Sequence, residues 1–174
     1  MKFSKYIIQD DRITFDFYEF HFSSLRKNNV LTLDRINEVD FDTNPCSMEI
    51  DGREIIFFNH NDESRIKAFG EKHNIKESHK VDTWELICNE FLDTEFEKTE
   101  IQKNQEKLIQ LGFSYFELQE IRRKISWTLF GTIEWNYIGQ WDLLAMKQNR
   151  NLIYSFIGRD YYWWTMKIAL KGKN

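Results

Sequence analysis

A single glutamate sits where a charge is expensive. With residues 127–146 on a helical wheel, Trp127, Phe130, Ile133, Tyr137, Ile138, Trp141, Leu144 and Ala145 share an arc of roughly 140°, and Glu134 falls inside it. A carboxylate on so apolar a face must be paired or must hold its proton above the usual carboxylate range, because desolvation disfavours the charged form. The chemistry this would permit is general acid/base catalysis. It would also permit metal ligation, with Asp93 or Glu95 of the acidic segment 82–100 as partners. The structural alternative is a buried glutamate bonded to a Tyr, Trp or Arg donor, for which Arg122, Arg123, Arg150 and Arg159 are available.

Other chemistry finds little material. His21, His60, His73 and His79 include no i, i+4 pair and no Glu-x-x-His, so no histidine-rich metal site is expected. The chain has no glycine-rich phosphate loop, no H-E-x-x-H and no G-x-S-x-G, and no cofactor is expected. Cys46 and Cys88 form no Cys-x-x-Cys and read as small half-buried thiols, neither disulfide nor nucleophile. The tail Arg159-Asp160-Tyr161-Tyr162-Trp163-Trp164, followed by Lys167, Lys171 and Lys173, mixes rings and bases. Trp163, Trp164, Arg159 and Lys167 are the candidate partner-binding residues. Rings stacked on bases with Lys and Arg on phosphates would bind single-stranded nucleic acid. Four adjacent aromatics, however, cover the whole circumference of a helix, and an isoelectric point near 5.6 disfavours nucleic acid. Core packing, with lysines at a helix C-terminus, explains the same residues.

The charge is distributed in blocks. Of 174 residues, 24 are Lys or Arg and 28 Asp or Glu, giving −4 overall. Segment 82–100 carries −6 and segment 147–174 carries +5. These blocks read as solvated faces or as a polarity for binding a partner. No apolar run exceeds four residues, which excludes a spanning helix. Residues 1–20 lack the apolar stretch of a secretory signal, so a soluble cytoplasmic protein is expected.

The elements that must position these groups change character near residue 60. Residues 12–22 alternate as a strand, with a phase slip between Phe17 and Tyr18 that suggests a bulge or a bend. Residues 47–58 form a hairpin around Asp51-Gly52, the pair suited to a type I′ turn. A short helix, capped by Asn61 or Asp62, turns Ile66 and Phe69 inward, and a polar linker covers 76–80. Asp82 with Glu85, and Ser114 with Glu117, make two capping boxes, with staples Val81–Leu86 and Phe113–Leu118. A polar helix over 96–111 turns Ile101, Leu108 and Leu111 inward. The helical pattern then runs from Tyr115 to about Gln148, with Thr128, Thr132, Asn136 and Gln140 as its wet stripe and a break possible near Gly131. Gly158 marks a turn before the last helix. The expected fold is α+β: an antiparallel sheet of about five or six strands over 1–60, a helix and linker over 61–80, and a helical bundle over 81–174.

Residues 12–73 resemble the pleckstrin-homology-like modules of bacterial proteins. The likeness rests on Arg35-Ile36-Asn37-Glu38-Val39, on the hairpin from Met48 to Phe58, and on the closing helix with Ile66 and Phe69. It covers about a third of the chain. The segment is short for that fold, and it is acidic where a lipid-phosphate site needs a basic pocket, so the resemblance implies no ligand and no binding residue.

The functional expectation is a non-enzymatic interaction module, bound to a protein partner or to itself. The alternative from another class is an acid/base or metal-dependent enzyme centred on Glu134 with Asp93 or Glu95. A third reading is nucleic-acid binding through the tail.

Overall fold

Apolar–polar alternation sets the first sheet. In the computed structural model, which describes residues 4–79, 81–91, 98–129, 137–150 and 154–171, strands β1 (Lys5–Ile8), β2 (Arg12–Phe17) and β3 (Val30–Thr32) pair antiparallel in that order. Ile13 and Phe15 of β2 are buried and Asp16 is exposed, as a two-residue period requires. The β1–β2 register shifts between Lys5 and Tyr6, and the phase slip after Phe17 is the expected bend. The strand ends there, and Tyr18, Glu19 and Phe20 are buried in succession, which a pleated strand with one solvated face cannot achieve.

The second sheet contains β4 (Ile36–Asp40), β5 (Ser47–Ile50), β6 (Glu54–Phe57) and β7 (Glu77–Ser78), ordered β6-β5-β4-β7. The expected single antiparallel sheet is thus two sheets, of three and four strands. The expected linker supplies β7, which pairs parallel to β4 through Val39↔Glu77 and Asp40↔Ser78. β5 and β6 form the expected hairpin, with Asp51 at φ 53° and Gly52 at φ 63°. Arg35 donates to Asp51 at 2.8 Å, and the Gly52 amide donates to Asn37 Oδ1 at 2.7 Å. Gly52→Val should lower stability by about 1–3 kcal/mol. The cost would come from backbone strain alone, since an added Cβ meets nothing within 4 Å. A thermal melt at the wild-type midpoint would show that this residue is not held at positive φ.

α1 (Glu63–Lys72) crosses from β6 to β7 and buries Ile66 and Phe69 as expected. Asp62 stands at its N-cap position, but its side chain accepts from Arg65 at 2.7 Å instead of capping the helix.

The helical half comprises α2 (Thr83–Cys88), α3 (Lys98–Gln110), α4 (Tyr115–Leu129), α5 (Gln140–Arg150) and α6 (Tyr154–Lys171). Both boxes deliver their caps. Ser114 Oγ accepts from the Glu117 amide at 3.2 Å, and Glu117 accepts from the Ser114 amide at 3.4 Å, just past Gly112 at φ +88°. Asp82 does more than its box requires. Its Oδ1 accepts from the amides of Trp84 at 2.8 Å and Glu85 at 3.3 Å. Its Oδ2 accepts from the Gln140 amide at 3.3 Å and the Tyr137 hydroxyl at 3.4 Å. One carboxylate therefore meets the first amides of both α2 and α5. A Cβ on Gly139 would come within 2.7 Å of Asp82 Oδ2, so this close approach requires glycine there.

Four expectations change in this half. The pattern from Tyr115 onwards is two helices, since residues 137–139 are not helical and α5 starts at Gln140. The wheel that set Glu134 beside Trp141 ran across these non-helical residues. Thr128 and Gln140, expected on a wet stripe, are buried. Val81, the expected staple of Leu86, is 52% exposed. α6 runs unbroken through Gly158, which is buried where a turn was expected. Leu108 is buried as anticipated, with Ile101 and Leu111 partly so.

One hydrophobic cluster joins both sheets to the helices. A run of ring contacts crosses it, from Phe15 to Tyr18 at 5.5 Å, Tyr18 to Phe20 at 5.8 Å and Phe20 to Tyr162 of α6 at 6.2 Å. Among the described residues, no helix is long and apolar enough to cross a membrane.

Candidate functional site

α6 must satisfy four consecutive aromatics at once, and it does so by dividing them. Tyr161 and Tyr162 are buried, whereas Trp163 and Trp164 are only partly so. Tyr162 is fixed by a 2.6 Å hydrogen bond from its hydroxyl to Glu54 Oε1. Trp84 of α2 supports the next turn, donating its indole N–H to the Thr165 carbonyl at 3.0 Å and meeting the Trp164 ring edge-on at 5.5 Å. With the tyrosines and Trp84 inside, the two outer indoles each line a groove.

The groove between α4 and α6, about 480 Å³, is lined by Trp164, Lys124, Arg123, Lys167 and Lys171 together with Glu117 and Glu120. The groove between α6 and the β5–β6 turn, about 600 Å³, is lined by Trp163, Arg53, Leu170 and again Lys167, Lys171 and Glu117. Lys167 and Lys171 thus stand on a ridge with one tryptophan on either side. A cation lies near each ring: Lys124 Nζ is 3.8 Å from the Trp164 centroid, and the Arg53 guanidinium carbon 5.7 Å from that of Trp163.

The two acids here are engaged. Glu117 accepts from Lys171 at 2.6 Å, and Glu120 from Arg123 at 2.8 Å. The Lys171 hydrogen bond is the main reason the Glu117 carboxyl lies below its ordinary pKa. Burial, and next the Lys147 charge, push the Lys124 ammonium below the usual lysine value. Arg53, Lys124 and Lys167 therefore leave the two grooves net positive.

The candidate residues read from the sequence divide sharply. Trp163, Trp164 and Lys167 come together here. Arg159 is exposed one turn before Trp163 and lines neither groove. Glu134, Asp93 and Glu95 lie outside the described residues. Among the described residues, no three His, Cys, Asp or Glu side chains converge to hold a metal ion. Both cysteines are buried and free, not half-buried. Burial pushes the Cys46 thiol up to about 12 and the Cys88 thiol well above its ordinary value, which makes both poor nucleophiles.

Comparison with family models, curated proteins and solved structures finds no match.

The buried carboxylates of Glu19 and Glu54 escaped the sequence reading. Glu54 had a usable signal, because it shares its strand face with Ile56, two residues on. Glu19 had a weaker one, its place inside the aromatic run from Phe17 to Phe22. Arg53 and Lys124 had none, since only the packing of α4 and the hairpin turn against α6 brings them to the tryptophans.

Proposed function

We propose that this chain is a protein-interaction module whose paired α6 grooves receive an acidic segment of a partner protein. The reading rests on Lys167 standing between Trp163 and Trp164 with Arg53 and Lys124 over the two rings. Such a surface favours a chain that alternates carboxylates with apolar side chains. The carboxylates would meet the cations, and the apolar groups would cover the indoles. An anion arriving at Lys124 would also offset the repulsion from Lys147.

The test is titration of the full chain with a synthetic peptide of alternating Glu and Leu, followed by tryptophan fluorescence. Binding should weaken as salt is raised, because the attraction is between partly exposed charges. The double variant Arg53→Glu, Lys167→Glu should lose at least about tenfold in affinity. Equal binding by this variant, or equal binding of a Lys-Leu peptide, would sink the proposal. Preference for single-stranded nucleic acid over the acidic peptide would point to the third reading. The enzymatic alternative centred on Glu134 with Asp93 or Glu95 gains no support from the grooves or from any distance described above.

A further inference from the structure

α4 buries only one of its sides. Leu118, Ile121 and Ile125 face the core, whereas Tyr115, Phe116, Gln119, Glu120, Arg123 and Lys124 are all exposed. The exposed residues recur in pairs every four positions, so they form two adjacent ridges along one helix face. The ridges begin with rings: Tyr115 is 56% exposed and Phe116 72%. Neither ring is needed to start the helix, because Ser114 and Glu117 cap it. Two adjoining rings left in water, on the helix that walls a groove, mark a contact surface.

This face is complementary to itself. Its N-terminal end carries rings and no charge. Its middle holds Gln119 beside Glu120, and its C-terminal end holds Arg123 and Lys124, which line the groove of about 480 Å³ beside Trp164. Turning α4 end for end therefore sets rings against cations and an amide against a carboxylate. A two-fold axis makes every such contact twice. A purely apolar partner would cover Gln119 and Lys124 without matching them, at a desolvation cost that a second copy avoids.

We propose that a second copy of this chain docks on this face, α4 against α4 antiparallel, about a two-fold axis between Gln119 and Glu120. Phe116 then meets the other copy's Arg123, Tyr115 its Lys124, and Gln119 its Glu120. The Tyr115 ring gives Lys124 a second aromatic neighbour besides Trp164, whose centroid lies 3.8 Å from Nζ. Glu120 and Arg123 bond each other at 2.8 Å within one copy, and both are exposed, so exchanging partners across the axis costs little. α4 has 15 residues and is about 22 Å long, so the contact stays below the roughly 1,200 Å² of a standard interface. The dimer is therefore weak and concentration-dependent. It goes beyond the acidic-partner reading, since Tyr115, Phe116 and Gln119 line neither groove.

Sedimentation equilibrium of the full chain over a range of concentrations tests this. The mass should rise from the 21.2 kDa of one chain towards twice that value. Phe116→Ser should weaken association at least about tenfold, and the exposure of its side chain leaves the fold intact. Glu120→Arg and Arg123→Glu should each weaken association as well. Mixing those two variants should restore it, because each then supplies the charge that the other lacks. A chain that stays monomeric at every concentration, an undiminished dimer in Phe116→Ser, or charge variants that do not recover on mixing would overturn the assignment. So would a monomer that sediments with phosphatidylserine vesicles, which would give the rings to a membrane. No peptide is present, so failure here leaves the acidic-partner reading standing, and failure of that reading leaves the dimer.

Discussion

Trp84→Ala should remove about 3–5 kcal/mol of unfolding free energy, the range for deleting a large aromatic from a packed core. Trp84 is 0% exposed, and two separate interactions are lost with it. Its ring supports Trp164, and its N–H satisfies the Thr165 carbonyl. Trp84→Phe keeps most of the ring and loses only the N–H, so it should cost about 1–2 kcal/mol. Urea unfolding followed by circular dichroism separates the two. Should the alanine variant unfold within about 1 kcal/mol of wild type, α2 is not what seats α6. Loss of Trp84 should also weaken binding at the grooves, because Trp164 would lose its backing.

Glu54→Ala should cost a similar amount, about 3–5 kcal/mol, by a different route. Glu54 is 0% exposed and accepts from the Tyr162 hydroxyl at 2.6 Å and the Ser24 amide at 3.1 Å. Alanine removes the shared acceptor of the buried Tyr162 hydroxyl and the partly buried Ser24 amide, and opens a cavity between β6 and α6. Glu54→Gln retains one oxygen able to accept from both, so about 1–2 kcal/mol is expected. The comparison is again a pair of urea midpoints. Equal losses from alanine and glutamine would show that charge matters here and that hydrogen-bond satisfaction does not. A wild-type midpoint for alanine would mean that Tyr162 and Ser24 find other acceptors.

What could be read from the sequence was local. Asp51-Gly52 dictates its own turn because two adjacent residues must take positive φ. Ser114 and Glu117 bond each other's amides, and Gly112 ends the preceding helix, all within a few residues. The α+β class followed from the change of period near residue 60. Features set by distant partners stayed hidden. Glu77-Ser78 has no alternation to advertise a strand, and β4 recruits it only because α1 brings the chain back alongside. The break before Gln140 stayed hidden because apolar residues keep a helical period across it, and the Gln140 amide is capped by Asp82, 58 positions earlier. The candidate site was half legible: Trp163, Trp164 and Lys167 stand in one short stretch, while Arg53 and Lys124 join them only through packing.

Asp82 has a dynamic consequence. A helix usually frays from its own end, at a cost set by its own cap. Here one side chain serves two helix starts, with Asp142 adding a second acceptor for α5 through the Gly139 amide at 3.0 Å. If Asp82 swings out, the amides of Trp84 and Gln140 lose their acceptor together. The first turns of α2 and α5 are therefore a single opening unit, although more than fifty residues separate them in the chain. A motion that carries Tyr137 and Gln140 away from α2 breaks only the Oδ2 half of this arrangement and leaves the Trp84 and Glu85 amides capped by Oδ1.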